Sequence, residues 1–277
     1  LLLVPKLGLA RTSLAFGILN VLVGLWTAWL FRDFIRRPRL FAAQAVAALS
    51  SLVFVFAYAE KLTLQIEANV FGAPVIFAEN SPYQRIVVTR DGDDVRLYLN
   101  GHLQFSSADE YRYHETLVHP GLSSRPWARR VLVLGGGDGM AVREVLRHPQ
   151  IESVTLVDLD PRMTGLFRDN EMLAGLNGRA LRSPKVRIIN ADAFQWLDRS
   201  QEMFDFVVVD FPDPNSYSIG KLYTTTFYGV LARHLDPEGL AVIQATSPLS
   251  ARRSFWCVAE TVKAAGLTPH AYHAYVP

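Results

Sequence analysis

Residues 131–160 read VLVLGGGDGMAVREVLRHPQIESVTLVDLD. The run Val131–Leu134 is apolar and β-branched enough for a buried strand. Gly135, Gly136 and Gly137 follow at once, then Asp138 and Gly139. Val142, Val145 and Leu146 recur at helical spacing, and a second strand, VTLV, ends in Asp158. Strand, glycine turn, helix, strand and acid make a nucleotide-binding β-α-β unit. The glycines let backbone approach a ligand closely, and the acid suits ribose hydroxyls. Asp138 sits where a pyrophosphate would lie. Its charge opposes a dinucleotide and favours a ligand that brings positive charge, such as a sulfonium nucleoside.

The alternation continues outward from this unit. Strands are expected at Val186–Asn190, Phe204–Phe211 and Gly239–Thr246, with helices including Tyr223–Leu235 and Ser250–Ala265. Continuous apolar strands joined by helical crossovers give a doubly wound parallel sheet, which binds ligands at the carboxyl ends of its strands. Asp138, Asp158, Asp192 and Asp210 all fall at such ends. One of them could be a helix cap, but four like charges along one edge destabilise unless a ligand uses them. Asp213 follows Asp210 in DFPDPNS, where two prolines stiffen the loop.

Before this region, VIFAE, YQRIVVTR and VRLYLNGHLQF read as short strands with turns at DGDD and Asn100-Gly101, a small antiparallel sheet. The polar cluster Asp109, Glu110, Tyr113, His114 and Glu115 then enters a helix. By itself it reads as a solvated helix start, with Ser107 and Asp109 as caps. Nearer the N-terminus, Thr12–Phe31 and Leu40–Ala59 carry no charged side chain. Each is long enough to cross a bilayer, and Trp26, Trp29 and Tyr58 sit where interfacial anchors belong. Between them FRDFIRRPR holds Arg32, Arg36, Arg37 and Arg39. A signal peptide and a buried soluble hairpin are the alternatives. The basic turn favours the cytoplasmic side, which would place the remainder outside.

The chain has 277 residues and a net charge of +2, too balanced to suggest a nucleic-acid partner. Its one cysteine, Cys257, excludes an internal disulfide and a cysteine zinc site, and no metal ligand set is read. The organisation expected is three-part. Residues 1–61 form two transmembrane helices, read as the end of a larger membrane domain. Residues 62–124 form a small β domain, and residues 125–277 a Rossmann-like domain that stops short of a closing hairpin.

YQRI with Gln84, LYLNGHLQ with Gln104, DEYRYHE, GGGDG, VDLD, ADA and VDFPDP occur in this order from Val75 onward. Together they resemble the spermidine/spermine synthase family, the polyamine aminopropyltransferases. With two apolar runs ahead, the chain is similar to the bacterial branch with an N-terminal membrane domain. The resemblance implies a Rossmann-like sheet of the class I methyltransferase type, preceded by the small antiparallel β domain and the helical hairpin. It implies decarboxylated S-adenosylmethionine as aminopropyl donor, with no prosthetic group. It also implies a diamine or polyamine acceptor, a homo-oligomer (dimer or tetramer), and a multi-pass inner-membrane protein with its catalytic domain in the cytoplasm. Gln84, Gln104, Gly135, Asp138, Gly137, Asp158 and Asp192 would hold the donor, Asp158 at the ribose and Asp192 at the adenine amino group. Asp210 would be the base, oriented by Tyr113, and His114 and Asp213 would serve the acceptor. The gate loop, DPNSYSIGKLYT, lacks the family's glycine-proline-alanine segment, which leaves acceptor choice open. Two rivals stand beside this reading: a methyltransferase using intact S-adenosylmethionine, and a non-catalytic membrane sensor of polyamine or nucleoside.

Overall fold

Pro38, with its fixed φ, opens one long helix, and Gly72 closes it in the left-handed region (φ 66°). That helix, α2 (Pro38–Phe71), and α1 (Val4–Leu30) before it form an apolar pair joined through a 3-10 turn at Arg32–Phe34. The computed structural model describes residues 3–35, 37–214 and 217–275. Arg36 of the basic turn, Asn215 and Ser216 of the gate loop, and Val276 and Pro277 lie outside the described residues. Two compact units divide at Ser106 and Ser107.

In the first unit the apolar stretches Leu7–Leu30 and Pro38–Phe71 are long and apolar enough to cross a membrane, and neither is buried by protein. The second helix does not stop at Ala59. It continues through Glu60, Lys61 and Glu67 to Phe71, because that extension meets partners of its own. Arg85 reaches Glu67 through two nitrogens, and Phe71 stacks on Tyr98 with ring centroids 4.0 Å apart. Strands β1 (Val75–Asn80), β2 (Arg85–Asp91), β3 (Asp94–Leu99) and β4 (His102–Ser106) form an antiparallel sheet in sequence order. Ile86, Val88 and Leu97 are fully buried within this unit.

The second unit opens with α3 (Glu110–Ser123). Asp109 precedes it, but its side chain makes no capping bond, contrary to the role expected for it. Five parallel strands follow: β5 (Arg130–Gly135), β6 (Ser153–Asp158), β7 (Val186–Asn190), β8 (Phe204–Asp210) and β9 (Leu235–Ile243). The connecting helices are α4 (Met140–Leu146), α5 (Pro161–Asp169), α6 (Glu171–Leu176), α7 (Ala193–Arg199), α8 (Tyr217–Gly220) and α9 (Thr225–Ala232); α10 (Arg252–Ala264) follows β9. The helix expected at Tyr223–Leu235 is shorter because Leu235 already pairs as strand with Phe204. Strand order is β7-β6-β5-β8-β9. The chain therefore moves to one side of β5, then crosses back to the other. That reversal opens a crevice above the carboxyl ends of β5 and β8. Leu132, Leu134, Val207, Val209, Phe227 and Tyr228 pack in the core beneath it.

Candidate active site

The glycine turn is shaped first by its neighbours in the fold. Gly135 has φ 80°, and a Cβ there would stand 2.2 Å from the carbonyl oxygen of Asp210. A Cβ on Gly137 would stand 2.7 Å from Asp158 Oδ2. These glycines let β5 pass against the ends of β8 and β6, which draws three acids to one place. Gly136 also has positive φ, and Asp210 Oδ2 lies 3.1 Å from where its Cβ would be.

Each acid of the edge has a local partner. The Met140 N–H donates to Asp138 Oδ1 at 2.9 Å. Asp158 accepts from Gly137 N–H at 3.1 Å and Asp160 N–H at 2.8 Å. Asp192 caps α7, accepting from Phe194 and Gln195 N–H at 3.1 Å each, and its second oxygen accepts from the Lys221 ammonium. Capping therefore explains Asp192 in part, as the sequence allowed for a single member. Asp213 is exposed and accepts from the Gln244 amide at 3.0 Å. The Tyr113 hydroxyl, from α3, donates to Asp210 Oδ1.

Burial and partners push these groups in different directions. Burial raises Asp158 to about 6, against the two backbone N–H bonds that lower it. Burial also raises Asp138, with the Asp210 charge adding to it and His114 opposing. Asp192 moves the other way: burial would raise it, but Lys221 and the helix-capping bonds lower it further. Burial, then the Asp210 charge, holds the Tyr113 hydroxyl well above its usual range, so it stays a donor.

Asp138, Asp158, Asp192, Asp210, Asp213, Tyr113, His114 and the glycines Gly135 and Gly137 all belong to the second unit. Gln84 lies in the turn before β2 and Gln104 on β4, both in the first unit. Gln84 is half-buried, with its backbone tied to Ser81. Gln104 is exposed and donates to His102 O at 3.2 Å. Several supporting residues escaped the sequence reading. Asn177, fully buried, donates to Asp138 O at 2.7 Å and holds the glycine turn from behind. Lys221 and Gln244 hold Asp192 and Asp213, and Arg143 is paired with Glu110. Glu115, His119 and Glu144 bring ligand atoms within 4.8 Å of one another. Arg143 and Arg147 already hold Glu144 at 2.7 and 2.8 Å, and their charge opposes a metal cation there.

Residues 110–277 match the Spermine/spermidine synthase domain. The chain belongs to that family. It is 54% identical to polyamine aminopropyltransferase 2 of Ralstonia nicotianae, over all of this chain and 55% of that protein. It is 50% identical to polyamine aminopropyltransferase of Leptospira interrogans, over 99% of this chain and 55% of that protein. The chain thus spans about half the length of the curated relatives it matches. Among solved structures it is similar to a spermidine synthase in complex with the transition state analogue AdoDATO. The TM-score is 0.65 and the identity 26%, covering 69% of this chain and 64% of that one. The spermidine synthase from Thermotoga maritima gives a TM-score of 0.63 at 26% identity, with the same coverage of both chains.

Proposed function

We propose that the protein to which this chain belongs is a polyamine aminopropyltransferase of the spermidine synthase kind. It transfers the aminopropyl group of decarboxylated S-adenosylmethionine to putrescine or a related amine and releases methylthioadenosine. The observation that carries this reading is the Tyr113–Asp210 contact beside Asp138 and Asp158, at the switch point of a parallel sheet. Both substrates are cations, and this edge is a row of carboxylates.

The amine nitrogen attacks the methylene carbon bonded to sulfur. A C–N bond forms, the C–S bond breaks, and its electrons leave on sulfur as a neutral thioether. No acid is needed for that leaving group. The acceptor amine is an ammonium at neutral pH, with an alkylammonium pKa of about 10.4, and must first lose a proton. Asp210 takes it. Tyr113 occupies Oδ1 as a donor, which leaves Oδ2 for the amine. Asp138 attracts the donor's terminal ammonium and would repel the carboxylate of intact S-adenosylmethionine. Asp158 holds the ribose, Asp192 the adenine amino group, and Gly135 and Gly137 the close backbone approach. By the family resemblance alone, Gln84 and Gln104 are assigned to the donor as well. His114 and Asp213 receive the acceptor, and holding two cations together is the main task. The reaction calls for no metal or prosthetic group.

The two apolar helices are assigned as a transmembrane hairpin (residues 1–61) of an inner-membrane protein. It is followed by a β domain, whose sheet ends at Ser106, and by a catalytic domain on the cytoplasmic side that takes in α3 with Tyr113 and His114; the boundary at residues 124 and 125 expected from the sequence therefore moves to Ser106 and Ser107. The assembly is assigned as a homo-oligomer, a dimer or tetramer. A product assay on the full-length, detergent-solubilised protein tests the activity. Decarboxylated and intact donors are supplied with a panel of amines, and products are followed by mass spectrometry. Methylthioadenosine formed only from the decarboxylated donor, and only with amine, is the expected result. A methylated product with S-adenosylhomocysteine would make the protein a methyltransferase instead.

A further inference from the structure

His114 is 3% exposed, and its surroundings are more elaborate than a pocket wall requires. Its Nδ1 lies 2.7 Å from Glu110 Oε2 and 3.0 Å from the Glu110 carbonyl oxygen. Both neighbours are acceptors, so Nδ1 carries a proton. Glu110 is itself 9% exposed, and both its oxygens meet the Arg143 guanidinium, at 2.8 and 3.0 Å. Arg143 is fixed in turn by the Leu176 carbonyl at 2.8 Å and Glu144 Oε1 at 2.7 Å. A bidentate fork of this kind sets the plane of a carboxylate as well as neutralising it. The pair spans α3 and α4, and Tyr113, the residue before His114 on α3, holds Asp210.

We propose that Glu110, locked by Arg143, is a positioning residue for the acceptor amine. By holding His114 through Nδ1, it commits Nε2 to the amine beside Asp210. The inference rests on the aminopropyl-transfer reading of the site. Neither Glu110 nor Arg143 touches substrate in it. A neutral ring, protonated at Nδ1, accepts an amine N–H at Nε2; a doubly protonated ring cannot. The charged and titratable groups around the ring are Glu110 and Tyr113 on α3, Arg143 on α4, Asp138 in the glycine turn and Asp210 on β8. Burial lowers the ring's proton affinity, but the Glu110 bond and the Asp138 and Asp210 charges outweigh it and raise it overall. Acceptor turnover should therefore have an acid limb set by Glu110.

The test is a double-mutant cycle on the full-length protein, with acceptor and donor kinetics measured separately. Glu110→Gln is expected to lower kcat/KM for the amine about tenfold, the scale of one hydrogen bond to a charged group. Donor KM should be unchanged, and the acid limb should move to lower pH. In a His114→Gln background, Glu110→Gln should cost less than about twofold, because the group it acts through is gone. Equal losses in both backgrounds, or an unmoved acid limb, would overturn the proposal in favour of a merely structural pair. Should Glu110→Gln fail to fold, Arg143→Lys keeps the charge and loses the fork; its acceptor-specific loss must likewise depend on His114. If wild type releases no methylthioadenosine from any amine, the aminopropyl reading fails. The same cycle is then read as amine affinity by calorimetry, where additivity counts against the relay.

Discussion

The two edges of the parallel sheet treat carboxylates in opposite ways. Strand β8, FDFVVVD, carries an aspartate near each end, Asp205 as its second residue and Asp210 as its last. At the amino edge, Asp205 is buried and accepts from the backbone N–H groups of Arg129 and Arg130, each at 2.8 Å. The Arg130 guanidinium adds an ion pair at 2.6 Å. Burial would raise Asp205, but Arg130 and those backbone bonds lower it below the usual carboxylate range. At the carboxyl edge, burial raises Asp138 and Asp158 and neighbouring acids add to it, while backbone N–H groups offset it only in part. The amino edge matches Asp205 with the Arg130 guanidinium; the carboxyl edge matches Asp192 with Lys221 but sets Asp138 and Asp158 against other acids, which suits a cationic ligand. An unneutralised row of acids is costly to folding, which is what makes it informative about function.

Four changes test that contrast. Asp210→Asn should lower turnover by about a thousandfold or more, within the range of general-base loss, while methylthioadenosine binding and melting temperature hold. Turnover within tenfold of wild type would remove Asp210 from the chemistry. Asp205→Asn should do the reverse. It loses a charge-assisted set at a buried site, for about 3 kcal/mol of stability, seen as a lowered melting temperature with kcat per folded molecule unchanged. The third change is in pH. Asp158 is raised to about 6 in the fold, so the folded chain binds its proton more tightly than the unfolded chain. Its contribution to stability therefore falls as pH rises between about 4 and 6, by up to about 3 kcal/mol. Nucleoside affinity should rise as pH approaches the folded value, because the carboxylate proposed to accept the ribose hydroxyls then forms. Calorimetry with methylthioadenosine across pH 5 to 8 would check it, and a flat profile would place the ribose elsewhere. The smallest effect is at Lys221, the cation that the carboxyl edge does possess. The Lys221→Met change removes a half-exposed pair worth at most about 1 kcal/mol. It should leave the melting temperature nearly unchanged and free an Asp192 oxygen, raising methylthioadenosine affinity a few-fold. A clear loss of affinity would instead give Lys221 a direct contact with the nucleoside.

Much of the carboxyl edge was legible because it is written locally. Apolar runs such as VLVL, VTLV and FDFVVVD mark parallel strands, and the residue after each run is at the ligand edge by construction. The glycine turn was legible as a turn, although its reason differs: Gly135 and Gly137 are needed for contact with Asp210 and Asp158 before any ligand arrives. Gln84 and Gln104 were reached only through family resemblance, since an isolated glutamine on a strand has no local signature. Glu110 was visible as one of a polar cluster, and Arg143 hardly at all. Their pairing joins residues 33 apart in the chain, and no spacing rule links them.

The sequence by itself determined the α/β alternation, the family, the row of aspartates and the two apolar runs, because each depends on periodicity or on residues adjacent in the chain. Only the tertiary structure decided which aspartates are matched by a cation and which are not. It placed Arg130 on Asp205, Lys221 on Asp192, Tyr113 on Asp210 and Arg143 behind His114. Proton affinity depends on burial and on the nearest charge in space, and both are set by strand order and crossover rather than by position along the chain.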